Sequence, residues 1–508
     1  MTEESQISQF YAQKKILITG ATGFMGKVLL WKLLHSCSQL DTIFVLMRSK
    51  HGKSSMSRNT EFFNSPAFEN LKKDNPKVFE KVVLISGDVG EDGIGLSDLD
   101  RGILIDEVSV VFHSAAIIKM NMDLRTVLNV NTVGTARMLE LAQQMKKLES
   151  FVYLSTAYCC CENPTVEERM YPSNHNPNNI IDLIKWIEPK LLEKITPGLI
   201  HPLPNTYTYS KRLTESMLHD YVSKVPIIVA RPSIVGPCFK EPFPGWSDSI
   251  NGPMGFYVAG GRGVMRTTTM NLDSKANMIP ADISINSIII LPWANSREQL
   301  LKEVGVYNIS QNSFENVTWR ELLHTCMRAL AKYPLDIMLW YPNTDPATKS
   351  MFVYTIKCIF LHYLPAYVID FILLLAGQKQ FLVRAHDKLR QGEKMLRLFT
   401  QKEWLFKHDK ILQLEQLMNP IDRQIFPVNT KEMQDVQSYT DDCMLSAKFH
   451  IFREDLKHRK RSKIIMNIMY ALDKIVLVLR YYILGKFLLF IFNTLWSIFN
   501  RAEDMPSY

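Results

Sequence analysis

From residue 14 to about 235 the chain alternates short apolar runs with longer stretches of helical periodicity. The runs fall at residues 16–18, 42–47, 82–88, 108–113, 151–155 and 227–231. Runs this short and this continuously apolar read as strands buried on both faces. The stretches 124–145 and 207–223 repeat their apolar positions with helical spacing and read as helices between strands. Such alternation predicts a doubly wound parallel sheet of Rossmann type, with helices on both faces. Ligands in these sheets bind beyond the carboxyl ends of the strands, so the residues that follow each run carry the functional information.

The first run leads into Gly20-Ala-Thr22-Gly23-Phe24-Met25-Gly26 and then an amphipathic stretch at 27–35. In a strand–turn–helix of this kind, the first glycine permits a tight turn. The second lets backbone amides approach a pyrophosphate, and the third lets the helix pack closely on the sheet. The helix N-terminus supplies partial positive charge to the phosphates. Arg48 follows the second run, where an NAD-preferring protein usually carries an acidic residue. A guanidinium suits a 2′-phosphate, which favours NADPH over the alternative of a solvated strand-end arginine. Asp88, after the third run, either accepts from the adenine amino group or caps a helix. Ala115 and Ala116, after the fourth, are small enough for a nicotinamide ribose to lie against backbone. Asn131, on the next helix, reads as a cofactor-side contact or a local bend.

The fifth run ends in Ser155-Thr156, and Tyr207 and Lys211 lie four apart on one predicted helical face. A free phenol has a pKa of about 10, and a neighbouring ammonium lowers it toward useful acid–base catalysis. A hydroxyl from Thr156 or Ser155 would bond a carbonyl oxygen as negative charge develops there. Tyr209 lies two residues from Lys211 and faces elsewhere.

The 508-residue chain has room for two or three domains, and a 46% hydrophobic content is ordinary for a folded protein. A net charge of +8 is mild and gives no reason to expect nucleic acid. Eight cysteines without regular spacing argue for a reducing compartment. Cys159, Cys160 and Cys161 are adjacent, which disfavours a shared tetrahedral metal, and no metal site is expected. The N-terminus shows no secretory signal. Residues 351–376 are strongly apolar but are interrupted by Lys357, His362, Pro365 and Asp370, so an all-α packing region is expected there rather than a clean span.

Residues 457–463 form a basic cluster, followed by an apolar stretch at 475–499. As a helix this stretch is roughly 37 Å long, enough to cross a bilayer with tilt. Arg480 and Lys486 within it leave an in-plane anchor as the alternative. The basic excess before the stretch, against Arg501 with Glu503 and Asp504 after it, places residues 1–460 in the cytosol.

The Thr19–Gly26 turn, Ser155-Thr-Ala-Tyr158 and Tyr207-x-x-x-Lys211 resemble the extended short-chain dehydrogenase/reductases. Within that group, Asn205-Thr-Tyr207, Arg231-Pro-Ser-Ile-Val-Gly236, Glu241-Pro-Phe-Pro-Gly-Trp246 and Asn251-Gly-Pro253 are similar to the fatty acyl-CoA reductases, the male sterility protein family. The resemblance implies NADPH-dependent reduction of a long-chain acyl-CoA to the primary alcohol in two hydride transfers. It also implies catalysis by Tyr207, Lys211 and Thr156 or Ser155. The cofactor-side set is then Gly20, Thr22, Gly23, Phe24, Met25, Gly26, Arg48, Asp88, Ala115, Ala116, Asn131, Lys211, Pro232 and Ile234.

The expected organisation is a reductase domain at 10–290, a completion of the core and linker at 291–350, a helical domain at 351–455 and a membrane-anchoring segment at 464–499. Expected partners are the acyl-CoA and membrane lipid, at the endoplasmic reticulum or peroxisome. A reductase or epimerase acting on a sterol or nucleotide sugar, and a cofactor-binding scaffold without turnover, are the alternatives. Nothing in the sequence bears on oligomeric state.

Overall fold

The computed structural model describes residues 4–48, 61–248, 250, 252–298, 304–310, 317–342, 346–429 and 435–503. Asn251 and Asp504 therefore lie outside the described residues. Seven strands form one parallel sheet: β1 Lys15–Thr19, β2 Thr42–Met47, β3 Val82–Ser86, β4 Val110–His113, β5 Ser150–Leu154, β6 Ile227–Pro232 and β7 Gly305–Ile309. Their order is β7-β6-β5-β4-β1-β2-β3. Because successive side chains point to opposite faces, Ile16 and Ile18 enter one core while Leu17 enters the other. Val110, Phe112 and Val152 join the first core, and Val111, Phe151 and Tyr153 join the second. Burial on both faces is what the continuous apolar runs required; each fully buried aliphatic side chain contributes roughly 1.5–3 kcal/mol. The strand order reverses between β1 and β4, which opens a crevice at their carboxyl ends.

The seventh strand was not among the expected runs. Its five residues include Asn308, whose amide donates to Val166 O at 3.0 Å and to Lys407 O at 2.8 Å. Both partners are remote in sequence, so no local pattern marks this edge strand.

Helix α1, Phe24–Ser36, packs on one face of the sheet against α5, Ala281–Glu298. Helix α2 runs through Leu124–Leu128, a π turn at Asn129–Val133 and Gly134–Ala142; with α3, Thr206–Leu218, it covers part of the other face. Residues 236–290 contain a helix, α4 at Pro253–Gly261, and two short strands, Thr268–Thr269 paired with Ala347–Thr348 and Met278–Pro280 paired with Ile234–Gly236. Pro253 at the first helical position preorganises α4. Asp282, at the start of α5, accepts backbone hydrogen bonds from Phe239, Lys240 and Glu241 at 2.7–3.0 Å, which pins the loop above the crevice.

The chain continues through α6, Trp319–Lys332, to the apolar stretch α7, Met351–Leu375. Here the structure departs from the expected buried packing. Tyr354, Cys358, His362, Ala366 and Asp370 form a buried stripe four residues apart. A π turn at Ile359–Tyr363 offsets the drift that this spacing suffers in an α-helix. His362 accepts from the Arg266 amide at 2.9 Å, and Asp370 caps the following helix α8, Leu382–Gln401, by accepting from Phe381, Leu382 and Val383. Two of the polar residues that argued against a span thus face protein, whereas Phe352, Ile356, Phe360, Leu364, Phe371 and Leu375 are exposed.

A single helix, α9, extends over Arg459–Glu503. Asp336 holds its start through Ser462 at 2.6 Å, and Arg266 binds Asp473 at 2.8 Å. Both α7 and the 456–497 stretch are long and apolar enough to cross a membrane.

Candidate active site

A cleft of about 620 Å³ opens at the carboxyl ends of the strands. Its floor is the glycine turn. Gly20 has φ +77°, and a Cβ there would meet Ser114 and Ala115 backbone at 2.7 Å, so the position admits only glycine. At Gly26 a Cβ would meet Gly20 O at 2.3 Å, which is the close helix–turn contact expected of the third glycine. The Ala115 amide donates to Thr19 Oγ1 at 3.2 Å, and the Ser114 hydroxyl donates to Thr19 O at 2.6 Å. His113 bridges Thr19 Oγ1 at 2.7 Å and Thr135 Oγ1 at 3.0 Å. Burial and then the Lys211 charge lower its pKa to about 3, so the ring is a neutral strut. The sequence reading placed no role on His113, because its meaning depends on partners from two other elements.

Gly20, Thr22, Gly23, Phe24, Met25 and Gly26 line the cleft, as do Arg48, Asp88, Ala115, Ala116 and Pro232. Arg48 stands at its exposed end. Asp88 accepts from the Gly90 amide at 2.9 Å, so it closes a turn rather than capping a helix. Two expected members are elsewhere. Asn131 is 1% exposed and sits on the π turn of α2. It accepts from the Ile117 amide at 2.7 Å and donates to Ile117 O and Ser210 Oγ. It therefore clamps the loop after β4 to α3 and does not reach the cleft. Ile234 is excluded by strand alternation: Ser233 and Val235 line the cleft, and Ile234 points the other way. Ser233, Asp248 and Met254 also line it, and Lys27 pairs with Asp248 at 3.1 Å across its margin. These loop residues carry no motif of their own.

Ser155, Thr156, Tyr207 and Lys211 meet on one wall. Thr156 caps the turn after β5 by accepting from the Tyr158 amide at 3.3 Å, and its hydroxyl interacts with the Tyr207 phenol. Ser155 turns inward, where its hydroxyl interacts with Glu215 and donates weakly to Cys159 Sγ at 3.9 Å. Burial, then Cys159, raise the Tyr207 pKa, and the Thr156 hydroxyl opposes the rise. The expected lowering by Lys211 is not what this geometry produces. The Lys211 ammonium instead donates to Leu154 O at 2.6 Å and lies 4.6 Å above the Tyr153 ring. Burial lowers its own pKa to about 8, against the opposing pull of Glu215.

Glu215 is fully buried and is matched by Arg231, which donates through Nε at 2.9 Å and through a second contact from Nη2. Cys159 donates to the same carboxylate at 3.3 Å, and the Arg212 guanidinium donates to Cys160 Sγ at 2.7 Å. Two guanidiniums thus occupy the surroundings of the one Cys-Cys-Glu group whose ligand atoms cluster among the described residues.

The cleft, its glycine cradle and the amides at the start of α1 fit a nicotinamide dinucleotide. The male sterility protein family matches this chain twice, over residues 18–288 and 361–454. Fatty acyl-CoA reductase 1 of Mus musculus is 33% identical over 477 residues, covering 93% of this chain and 92% of its own. The Xenopus laevis protein of the same name is 34% identical with the same coverage. Among solved structures, the terminal R domain of the myxalamid biosynthetic pathway superposes with a TM-score of 0.58 at 17% identity, covering 87% of this chain and 92% of that one. The reductase domain of a Mycobacterium tuberculosis nonribosomal peptide synthetase does so with a TM-score of 0.54 at 16% identity, covering 86% and 92%. Those two likenesses concern the fold. The two family matches and the near-full-length relatives establish that this chain belongs to the fatty acyl-CoA reductase, or male sterility protein, family of oxidoreductases.

Proposed function

We propose that the protein reduces a long-chain acyl-CoA to the primary fatty alcohol with NADPH, through an aldehyde-level intermediate and with release of CoA. The observation that carries this reading is the convergence of Thr156, Tyr207 and Lys211 beside the glycine cradle in one cleft. NADPH would supply one hydride for each reduction, so two molecules are consumed and the oxidised first one exchanges for the second between the steps.

In the first reduction the thioester carbon gains a hydride and its oxygen gains charge beside Thr156. The C–S bond then breaks, and CoA leaves as a thiolate that takes a proton. In the second, the aldehyde carbon gains a hydride and Tyr207 gives its proton to the oxygen. A phenol whose pKa burial has raised is held in its protonated form, which is the form this step needs. The Lys211 ammonium, fixed on Leu154 O, holds positive charge at the end of β5 and would hold the nicotinamide ribose there. Ser155, turned to Glu215, supports the strand end.

Arg48 at the exposed end of the cleft favours NADPH through its match to a 2′-phosphate. The exposed apolar faces of α7 and α9 favour attachment to the cytosolic side of an endoplasmic reticulum or peroxisomal membrane, into which the alcohol would partition. The test is product analysis by gas chromatography after incubating purified protein with palmitoyl-CoA and either NADPH or NADH. Alcohol formed preferentially with NADPH supports the reading; neither aldehyde nor alcohol across a panel of chain lengths rejects it.

A further inference from the structure

A second, narrow apolar cavity lies between α4 and α6 and is partly open to solvent. Its walls are almost wholly carbon and sulfur, from Phe256, Met265, Leu323, Met327 and Leu330 among others. It is not isolated from the cofactor cleft. Pro253 lines both, and the first turn of α4, with Gly252 and Met254, forms the cleft side of the partition. From that shared turn α4 runs for about 13 Å along the cavity.

The far wall is the segment that contains Met265 and Thr268. Its intervening residues hold both apolar helices: the Arg266 and Thr267 amides donate to His362 of α7, and the Arg266 guanidinium binds Asp473 of α9. The strand paired with this segment, Ala347–Thr348, leads directly into α7. The cavity thus lies between a turn that also walls the cleft and the segment that holds the exposed apolar helices.

Gly260 lies on the cavity side of α4, and among the described residues outside its own helix the only atom near a Cβ built there is Met265 Cε, at 3.7 Å. The next residue, Gly261, has a different reason to be glycine, since a Cβ there would meet Leu330 Cδ2 at 2.6 Å. Gly260 leaves space, whereas Gly261 permits contact.

We infer that this cavity takes the hydrocarbon chain of the substrate, laid along α4 with its thioester at Tyr207, and that Gly260 and Met327 set how long a chain is accepted. The inference rests on the acyl-CoA reading above and adds the place and the residues that select chain length. A polar headgroup or nucleotide would leave its hydrogen bonds unmade against these walls. A hydrocarbon chain gives up water at every methylene.

The test uses full-length protein with Gly260→Leu and Met327→Trp. A Cβ at 260 is in ordinary contact with Met265 Cε, the end of a flexible side chain, and leucine has a higher helix propensity than glycine. Turnover is measured with octanoyl-, dodecanoyl-, palmitoyl- and stearoyl-CoA, and binding is measured separately by fluorescence of cis-parinaric acid. The expected result is a fall of about tenfold or more in kcat/KM for palmitoyl-CoA relative to octanoyl-CoA, with weaker parinarate binding. An unchanged ratio between chain lengths in both variants, with the wild type active, overturns the inference and leaves the acyl-CoA reading standing. If the wild type reduces no acyl-CoA, that reading falls. Parinarate binding then decides whether the cavity takes an apolar chain: loss in Gly260→Leu supports it, and equal binding rejects it.

Discussion

Thr156 and Tyr207 meet across the gap between the end of β5 and the start of α3, hydroxyl against phenol, while the adjacent Ser155 faces Glu215. Extended backbone explains the division, because neighbouring residues at a strand end point to opposite sides. It separates two hydroxyls that are equivalent in a linear reading. Tyr207→Phe is expected to lower kcat by about 10²–10⁴-fold. Thr156→Ala is expected to lower it by about 10²–10³-fold, the usual loss for one donor to a developing oxyanion. Ser155→Ala should cost less in turnover than Thr156→Ala. NADPH oxidation at saturating palmitoyl-CoA measures all three, and a larger loss for Ser155→Ala would reverse the assignment.

Lys211 has a folded-state pKa lowered to about 8 by burial. If the charged form holds the ribose, activity should decline as pH rises through about 8, and Lys211→Arg should shift that limb upward. Stability should move the other way. Between the folded value and the ordinary lysine value near 10.4, the unfolded chain binds more protons than the folded one, so this residue's cost is relieved as pH rises through that interval. Urea midpoints for wild type and Lys211→Met, taken across the interval, check the sign.

Arg48→Ala is expected to raise the KM for NADPH about tenfold or more and to leave that for NADH nearly unchanged, because only NADPH offers a second phosphate to the guanidinium. Equal effects on the two cofactors would remove Arg48 from the selection of NADPH.

The Arg231–Glu215 pair has no solvent exposure on either side chain. Arg231→Met leaves the carboxylate buried and unpaired, and a loss of about 3–5 kcal/mol of stability is expected. Chemical denaturation measures it. The double variant Arg231→Met with Glu215→Gln should recover part of the loss, since no charge then remains to be compensated.

Removal of residues 459–508 deletes α9 but leaves the exposed apolar face of α7. The truncated protein is expected to remain with membranes during flotation, and to be released when Phe352, Ile356 and Phe360 are also changed to Ser. Complete release by truncation alone would show that α7 does not engage lipid.

The sequence by itself determined the parallel sheet, because strands buried on both faces must be continuously apolar and their crossover helices must alternate with them. It also determined the glycine turn, since a left-handed Gly20 and a Gly26 packed on the turn leave no room for side chains. Tyr207 and Lys211 were legible for a similar reason: four residues on a helix define a shared face.

Tertiary structure decided what depended on partners distant along the chain. Asn131 bonds Ile117 and Ser210 rather than reaching the cleft. The Lys211 ammonium turns to Leu154 O, so burial, with Cys159 adding to it, sets the direction of the Tyr207 shift. His362 and Asp370 look like interruptions of an apolar stretch until the Arg266 amide and the start of α8 are seen against them. The cavity beside α4 has no sequence signature, because an apolar residue that lines a space and one that fills a core are written with the same letters. Local spacing is encoded in a few consecutive residues, whereas the direction of a side chain and the space beside it are set only when distant segments pack.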